Sequence, residues 1–396
     1  MNLLRIIPSM DPKGGGPCQG IRNNTPELEK FNIFCEIATT DISQTWADDG
    51  LTVHTLGEKK NAWSYSSKLI PWLIKNIPRF DAIIIHGLWQ YHSFAVYSAI
   101  KKLERKKIST PKVYVMPHGM LDPYFQRDPS RRLKAIRNWV YWLLIEKQVV
   151  NNADAILFTC ETELLLARET FPLYKPKEEL NIGYGIIAPP LFKDQMKADF
   201  LEKTQGEFPY FLFISRIHQK KGVDLLLLAY NQLLNENKDN TDNIPALVIA
   251  GPGIDTSFGQ SLLKIIEDFP LLELKVYVVG MLTGDAKWGA FYGCEAFVLP
   301  SHQENFGIVV AEALACGKPV LISDQVNIWR EIEDANAGII GKDTLEGTYS
   351  MLKQWLTTPI EEKQQIESNT RLCFEKKFSI SPNAKRFVDV LKNINE

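Results

Sequence analysis

Nowhere do the 396 residues reach the run of about 18 consecutive apolar residues that a membrane-spanning helix needs. The longest apolar candidates, 139–145 and 225–230, are far shorter. The amino-terminal apolar run is broken by Arg5 and Pro8, too early for a secretory signal. Six scattered cysteines form no Cys-x-x-Cys pair and have no histidine at zinc-finger spacing, so they are expected to be small buried hydrophobes in a reducing compartment. A surplus of one charge sign is also missing: 45 Lys and Arg against 47 Asp and Glu leave −2, which excludes a global field for holding nucleic acid. No D-x-D, H-E-x-x-H or EF-hand pattern offers a metal cage. Gly14, Gly15, Gly16 and Gly20 do not spell G-x-G-x-x-G, and Gly317-Lys318 runs into Pro319 where a phosphate loop needs Ser or Thr.

What is there is ordinary globular material, 45% hydrophobic and 23% charged, at a length that fits two to three compact units. These bounds set the expectation of a folded cytoplasmic protein. Short β-branched and aromatic runs recur, each followed by a helical pattern. Residues 3–7, 82–85, 112–116 and 155–159 are predicted strands of a first half; 211–215, 246–250, 275–279, 296–299 and 320–323 are those of a second. Strands without polar alternation suit a parallel sheet covered on both faces, with the helices as crossovers. The expected class is therefore α/β, with two Rossmann-like halves. A polar, proline-bracketed stretch from Pro189 to Pro209 is expected to be the linker. The tail after Pro382 carries its own helical pattern.

In open parallel sheets ligands sit beyond the carboxyl ends of the strands. There the sequence places Gly15-Gly16-Pro17, His86-Gly87, His118-Gly119, Arg216, Gly251-Pro252-Gly253, Gly280 and 301–307. Arg216, then Lys220-Lys221-Gly222 at the start of a helical run, can converge on a diphosphate without a metal. After strand 296–299, Glu304 lies in a loop and Glu312 in the helix expected to begin near Gly307 and to stop at Gly317. Two such carboxylates can bind hydroxyls at both ends of one ligand, with the amides of Phe306, Gly307 and Ile308 facing a phosphate between them. The plainer alternative makes Glu304 a helix cap and Glu312 a solvated side chain.

Residues 131–144 combine Leu133, Ile136, Val140 and Leu143 at helical spacing with five basic residues between Arg127 and Arg137. The expectation is a helix that packs this stripe on the first sheet; the alternative is docking on anionic lipid.

With these residues in view, the chain resembles a retaining glycosyltransferase of family 4, the glycosyl transferases group 1, of GT-B type and of the polysaccharide-assembly branch. The resemblance rests on Glu304 to Glu312 with Phe306-Gly307, on Arg216 to Gly222, on Gly251-Pro252-Gly253 and on the early glycine loop. It implies two Rossmann-like domains facing each other across a deep cleft: 1–190 for the acceptor, 191–376 for a nucleotide-sugar donor, and a C-terminal helix over 377–396 packing back on the first. It further implies that Arg216 and Lys221 hold the donor diphosphate, Glu312 the ribose and Glu304 the transferred sugar. Gly15, Gly16, Gly253 and residues Asn305 to Ile308 would line the donor, and Met281 and Leu282 would meet the base. His118 and His86 would stand on the acceptor side, His118 as a catalytic candidate beside Arg216, Lys221 and Glu304. Asn181-Ile182-Gly183-Tyr184-Gly185-Ile186 departs from the family's usual Pro-Asn-Gly-Val-Asp.

The implied reaction is retaining, metal-independent transfer of a sugar from a nucleoside diphosphate sugar, the co-substrate, to a glycan or lipid-linked hydroxyl in cell-surface polysaccharide synthesis. The protein would be cytoplasmic or peripheral at the inner face of an anionic membrane. Alternatives on the same fold are a nucleotide-sugar epimerase or hydrolase, or a non-catalytic nucleotide-sugar-binding subunit.

Overall fold

A computed structural model describes residues 1–12, 15–46, 48–58 and 61–393. The chain divides into two compact units, Met1–Gly185 with Ile380–Glu396, and Ile186–Ser379. Each is built on a wholly parallel sheet with helical crossovers.

The first unit holds β1 (Asn2–Ile7), β2 (Phe34–Thr39), β3 (Thr52–Thr55), β4 (Ala82–His86), β5 (Lys112–Met116), β6 (Ala155–Phe158) and β7 (Glu179–Asn181), in spatial order β3-β2-β1-β4-β5-β6-β7. The second holds β8 (Tyr210–Ile214), β9 (Ala246–Ala250), β10 (Val276–Gly280), β11 (Ala296–Leu299), β12 (Val320–Ser323) and β13 (Gly338–Gly341), ordered β10-β9-β8-β11-β12-β13. Strand order reverses between β1 and β4 and again between β8 and β11. At such points neighbouring crossovers leave on opposite faces and open a crevice at the carboxyl ends of the strands.

The nine expected strands form, with ends shifted by a residue or so; Lys275 instead ends the short helix Pro270–Lys275. β2, β3, β7 and β13 escape the sequence reading for a physical reason. β3, β7 and β13 are sheet edges, short and half-exposed, and need no continuous apolar run. β2 carries Glu36, which is bonded to Arg79 and His54.

Two other expectations are corrected. The chain passes between units at Gly185–Ile186, not within 189–209. That stretch forms helix Asp194–Thr204, which buries Met196 and Phe200 in the second unit. Its backbone presses on the helix Gly284–Gly293 at Gly289, where a Cβ would lie 1.9 Å from Met196 O. Charged residues spaced along one face had disguised an amphipathic helix as a linker. The stripe Leu133, Ile136 and Val140 does not pack on the sheet either: all three are exposed. Asn138, on the opposite side of the helix, and Trp142, in the turn that follows it, are buried instead.

The terminal helix Ile380–Asn393 belongs to the first unit. Ala384, Phe387, Val388 and Leu391 join Leu3, Leu28, Ile84 and Leu157 in one apolar cluster. The divergent loop 181–186 lies beside it. Gly183 (φ +72) meets Asn383, and the Tyr184 hydroxyl donates to Gly16 O at 3.0 Å. The Tyr184 ring occupies the space a side chain at position 20 would need.

Candidate active site

In the second unit the loops leaving β8 and β11 meet over the reversal point. After β8 the chain runs through exposed Arg216 and a 3-10 turn Gln219–Lys221 into the helix Val223–Glu236. Gly222 links turn and helix at φ +66, with its α-carbon against the β11 loop: a Cβ there would lie 2.1 Å from Pro300 O. Only glycine meets both the left-handed backbone and that approach. The His302 amide donates to Lys220 O at 2.9 Å, and the Lys221 ammonium donates to Glu304 Oε2. Lys221 and Glu304 expose 10% and 21% of their side chains, so the pair is largely withdrawn from water.

Glu304 is fixed in backbone as well. Its amide donates to Gln325 O and its carbonyl accepts from Asn327 N, both at 2.9 Å. It is not a helix cap: the helix Ile308–Ala315 is capped by Gly307 at φ +73 with no side-chain bond. The amides of the first helical turn have no partner within the helix, which makes this end electropositive. Glu312 lies one turn in, its Oε1 bonded to Lys287 Nζ at 2.6 Å and its Oε2 buried without a hydrogen-bond partner. Burial raises the Glu312 carboxyl above the ordinary range, against the pull of Lys287. Glu312 is therefore neither solvated nor satisfied, and its free oxygen is an acceptor awaiting a donor.

Lys287 was missed. It stands on the helix after β10 with its ammonium 4.6 Å from the Trp288 ring. Its signal was its place just beyond Gly280-Met281-Leu282, at the end of a strand. Of those residues, Leu282 is buried and Met281 is 66% exposed. Gly253 (φ +109) and Gly251 (φ +138) let the loop after β9 approach the backbone after β8; a Cβ on Gly251 would lie 1.8 Å from Ser215 O. Arg216 makes no hydrogen bond or ion pair among the described residues, so its guanidinium is free for a ligand. Lys221, in contrast, is paired with Glu304.

In the first unit β4 and β5 deliver the two histidines side by side. His86 Nδ1 and His118 Nε2 are 2.9 Å apart and the rings stack at 5.2 Å. His118 takes φ +54, held there by Glu163, which accepts from the Gly119 amide at 2.5 Å and from Thr159 N at 2.8 Å. Burial and neighbouring Arg5 push His118 down to about 3, and burial with His118 lowers His86 well below its usual value. Both rings are neutral at physiological pH, able to share one N–H but not to carry a cation. Gly15, at φ +86, opens the helix Gly16–Glu29, whose Pro17 lies at its start; Gly14 is outside the described residues. An open cavity of about 710 Å³ lies over the ends of β1, β2 and β4, lined among others by Ser9, Asp11, Asp41, Trp46, Asn61, His86 and Gln90. Among the described residues no group of three His, Cys, Asp or Glu side chains converges as a metal cage.

Residues 194–372 match the family model of the glycosyl transferases group 1. Over this stretch the chain is similar to the glycosyl transferases group 1. It contains Arg216, Lys221, Lys287, Glu304 and Glu312. A D-inositol 3-phosphate glycosyltransferase of Gordonia bronchialis is 26% identical over 58% of this chain and 50% of its own length. One of Frankia alni is 31% identical over 33% of each. The chain thus spans between a third and about half the length of these curated relatives. Among solved structures, sucrose-phosphate synthase of Thermosynechococcus elongatus superposes with a TM-score of 0.70 at 17% identity, covering 99% of this chain and 98% of its own. HepE of Anabaena, in complex with UDP and glucose, gives 0.71 at 14% over 99% and 100%. Likeness at that identity carries the fold, which is GT-B, two Rossmann-like domains.

Proposed function

We propose that the protein is a glycosyltransferase that moves a sugar from a nucleoside diphosphate sugar to an acceptor hydroxyl, with retention and without a metal, in the assembly of a cell-surface glycan. The observation that carries this reading is the Lys221–Glu304 pair, placed over the β8–β11 reversal beside a glycine-capped helix start. The domain family, the names of the relatives and a structural neighbour holding UDP and glucose support it.

Breaking an anomeric bond builds negative charge on the leaving diphosphate and positive charge on the sugar ring. The Arg216 guanidinium, the Lys221 ammonium and the amides at 306–308 oppose the first, and they act most strongly where water is sparse. Lys221 is already mostly dehydrated, so exchanging its Glu304 bond for a phosphate costs little further desolvation. Glu304, released, is then free to accept hydrogen bonds from the sugar hydroxyls. The open oxygen of Glu312 suits a ribose hydroxyl, with Lys287 holding the other oxygen in place. The 710 Å³ cavity of the first unit, lined by carboxylates, amides and Trp46, suits a polyhydroxylated acceptor. The departing phosphate accepts the acceptor's proton, which keeps the attack on the leaving-group face and gives retention.

The test is turnover of UDP, GDP and ADP sugars with and without a panel of acceptor glycans, with the product anomer read by NMR and EDTA present in a parallel arm. Nucleotide release that requires acceptor, an unchanged anomeric configuration and indifference to EDTA are expected. A donor altered without acceptor would make the protein an epimerase or hydrolase. Binding with no turnover would make it a carrier subunit.

A further inference from the structure

The helix Arg132–Tyr141 and the π turn Trp142–Glu146 that follows it carry apolar side chains on two opposite sides. The inner side is satisfied. Trp142 is fully buried, stacks on Phe171 at 4.9 Å and donates its indole N–H to Pro172 O at 2.8 Å. The outer side is not: Leu133 is 84% exposed, Ile136 62%, Trp139 47%, Val140 45% and Leu144 73%. At helical spacing these five project from one face, away from Asn138 and Trp142. Single exposed apolar residues are ordinary, but a contiguous face of large ones marks an interaction surface.

The charges around this face say what covers it. Arg132, Lys134 and Arg137 are exposed along the same helix. No Asp or Glu lies in sequence between Asp128 and Glu146, and Glu146 is fully buried, bonded to Trp89 N and Ser93 Oγ. A second copy of the chain docking through this face would bring the same cations against one another. A bilayer offers hydrocarbon to the leucines, an interfacial layer to the Trp139 indole and phosphates to the cations. No helix among the described residues is long and apolar enough to cross a membrane, so the contact is one of lying on the surface.

We propose that this face docks on an anionic phospholipid surface, with Leu133, Ile136, Trp139, Val140 and Leu144 entering the headgroup boundary and Arg132, Lys134 and Arg137 meeting lipid phosphates. The proposal goes beyond the sugar-transfer reading, and its test requires no turnover. The full chain is sedimented with phosphatidylcholine vesicles, with and without phosphatidylglycerol, at low and high salt. Two variants accompany it, Leu133→Ser/Trp139→Ser/Leu144→Ser and Arg132→Gln/Lys134→Gln, both at exposed positions, with thermal melting as the check on folding. The wild type is expected to pellet with the anionic vesicles, and less so at high salt. Either variant should weaken that partition about tenfold or more while melting near the wild type. Wild-type protein left in the supernatant, or folded variants that pellet equally well, would overturn the proposal. So would a wild type that ignores vesicles but sediments as a dimer which the leucine–tryptophan variant dissociates.

Discussion

Lys221 donates its ammonium hydrogen bond to Glu304 across the point where strand order reverses in the second sheet, joining residues 83 positions apart. In one contact it ties the loop that carries the free Arg216 to the loop that leads into the Gly307-capped helix. The proposed function and the local order therefore rest on the same pair of side chains, and each can be tested apart.

Replacing Lys221 with alanine is expected to lower kcat/KM by about 100-fold or more, the scale of removing one charge-stabilising donor. Glu304→Gln should also impair turnover, since the amide keeps the shape but loses the charge. The double variant should cost less than the sum of the two, because each single change leaves the other partner unpaired. Steady-state kinetics on the four proteins decide it. Full activity in Glu304→Gln would contradict the assigned site.

Gly222→Ala should destabilise the second unit by about 2 kcal/mol or more, because the new Cβ meets Pro300 O on a backbone already at φ +66. Denaturant titration measures this. A near-neutral result would mean that the loop after β11 yields freely.

Glu146 is buried and raised to about 7, mainly by desolvation, with Ser93 and the Trp89 amide pulling the other way. The folded state therefore holds a proton that the unfolded chain releases near 4.5. Between those two values stability falls as pH rises, by up to about 3 kcal/mol. Glu146→Gln removes the titration, so the wild-type melting point should drop relative to the variant from pH 5 to pH 8. Parallel pH profiles would exclude the effect.

His118 gives the opposite slope. Its folded value near 3 lies below that of a free imidazole, so its contribution is complete above about 6.5 and is lost as pH falls toward 3. His118→Asn, which tolerates the left-handed backbone, should melt with a shallower acid limb between pH 7 and 4 than the wild type. An equally steep limb would assign the acid sensitivity to other groups, among them buried His92, itself lowered to about 4.

The places where sequence reading failed share a cause. Amphipathic periodicity says that a face is apolar, but not whether the chain itself covers it. In Asp194–Thr204 the face is buried although the polar composition reads as a linker; in Arg132–Tyr141 the outer face is bare although its spacing predicts packing against the sheet. The pairing of Lys287 with Glu312 is hidden for a related reason: nothing in the spacing from 287 to 312 announces a contact, which exists because β10 and β11 belong to the same sheet.

By itself the sequence determined the parallel α/β class, since buried strands must be continuous apolar runs, and it singled out the loops of the candidate site, since glycines, cations and carboxylates cluster where strands end. Tertiary structure alone decided which of those groups touch: Lys221 with Glu304, Lys287 with Glu312, His86 with His118. Local pattern follows from backbone geometry a few residues at a time. Pairing across a sheet depends on strand order, which is set by how all the crossovers pack at once.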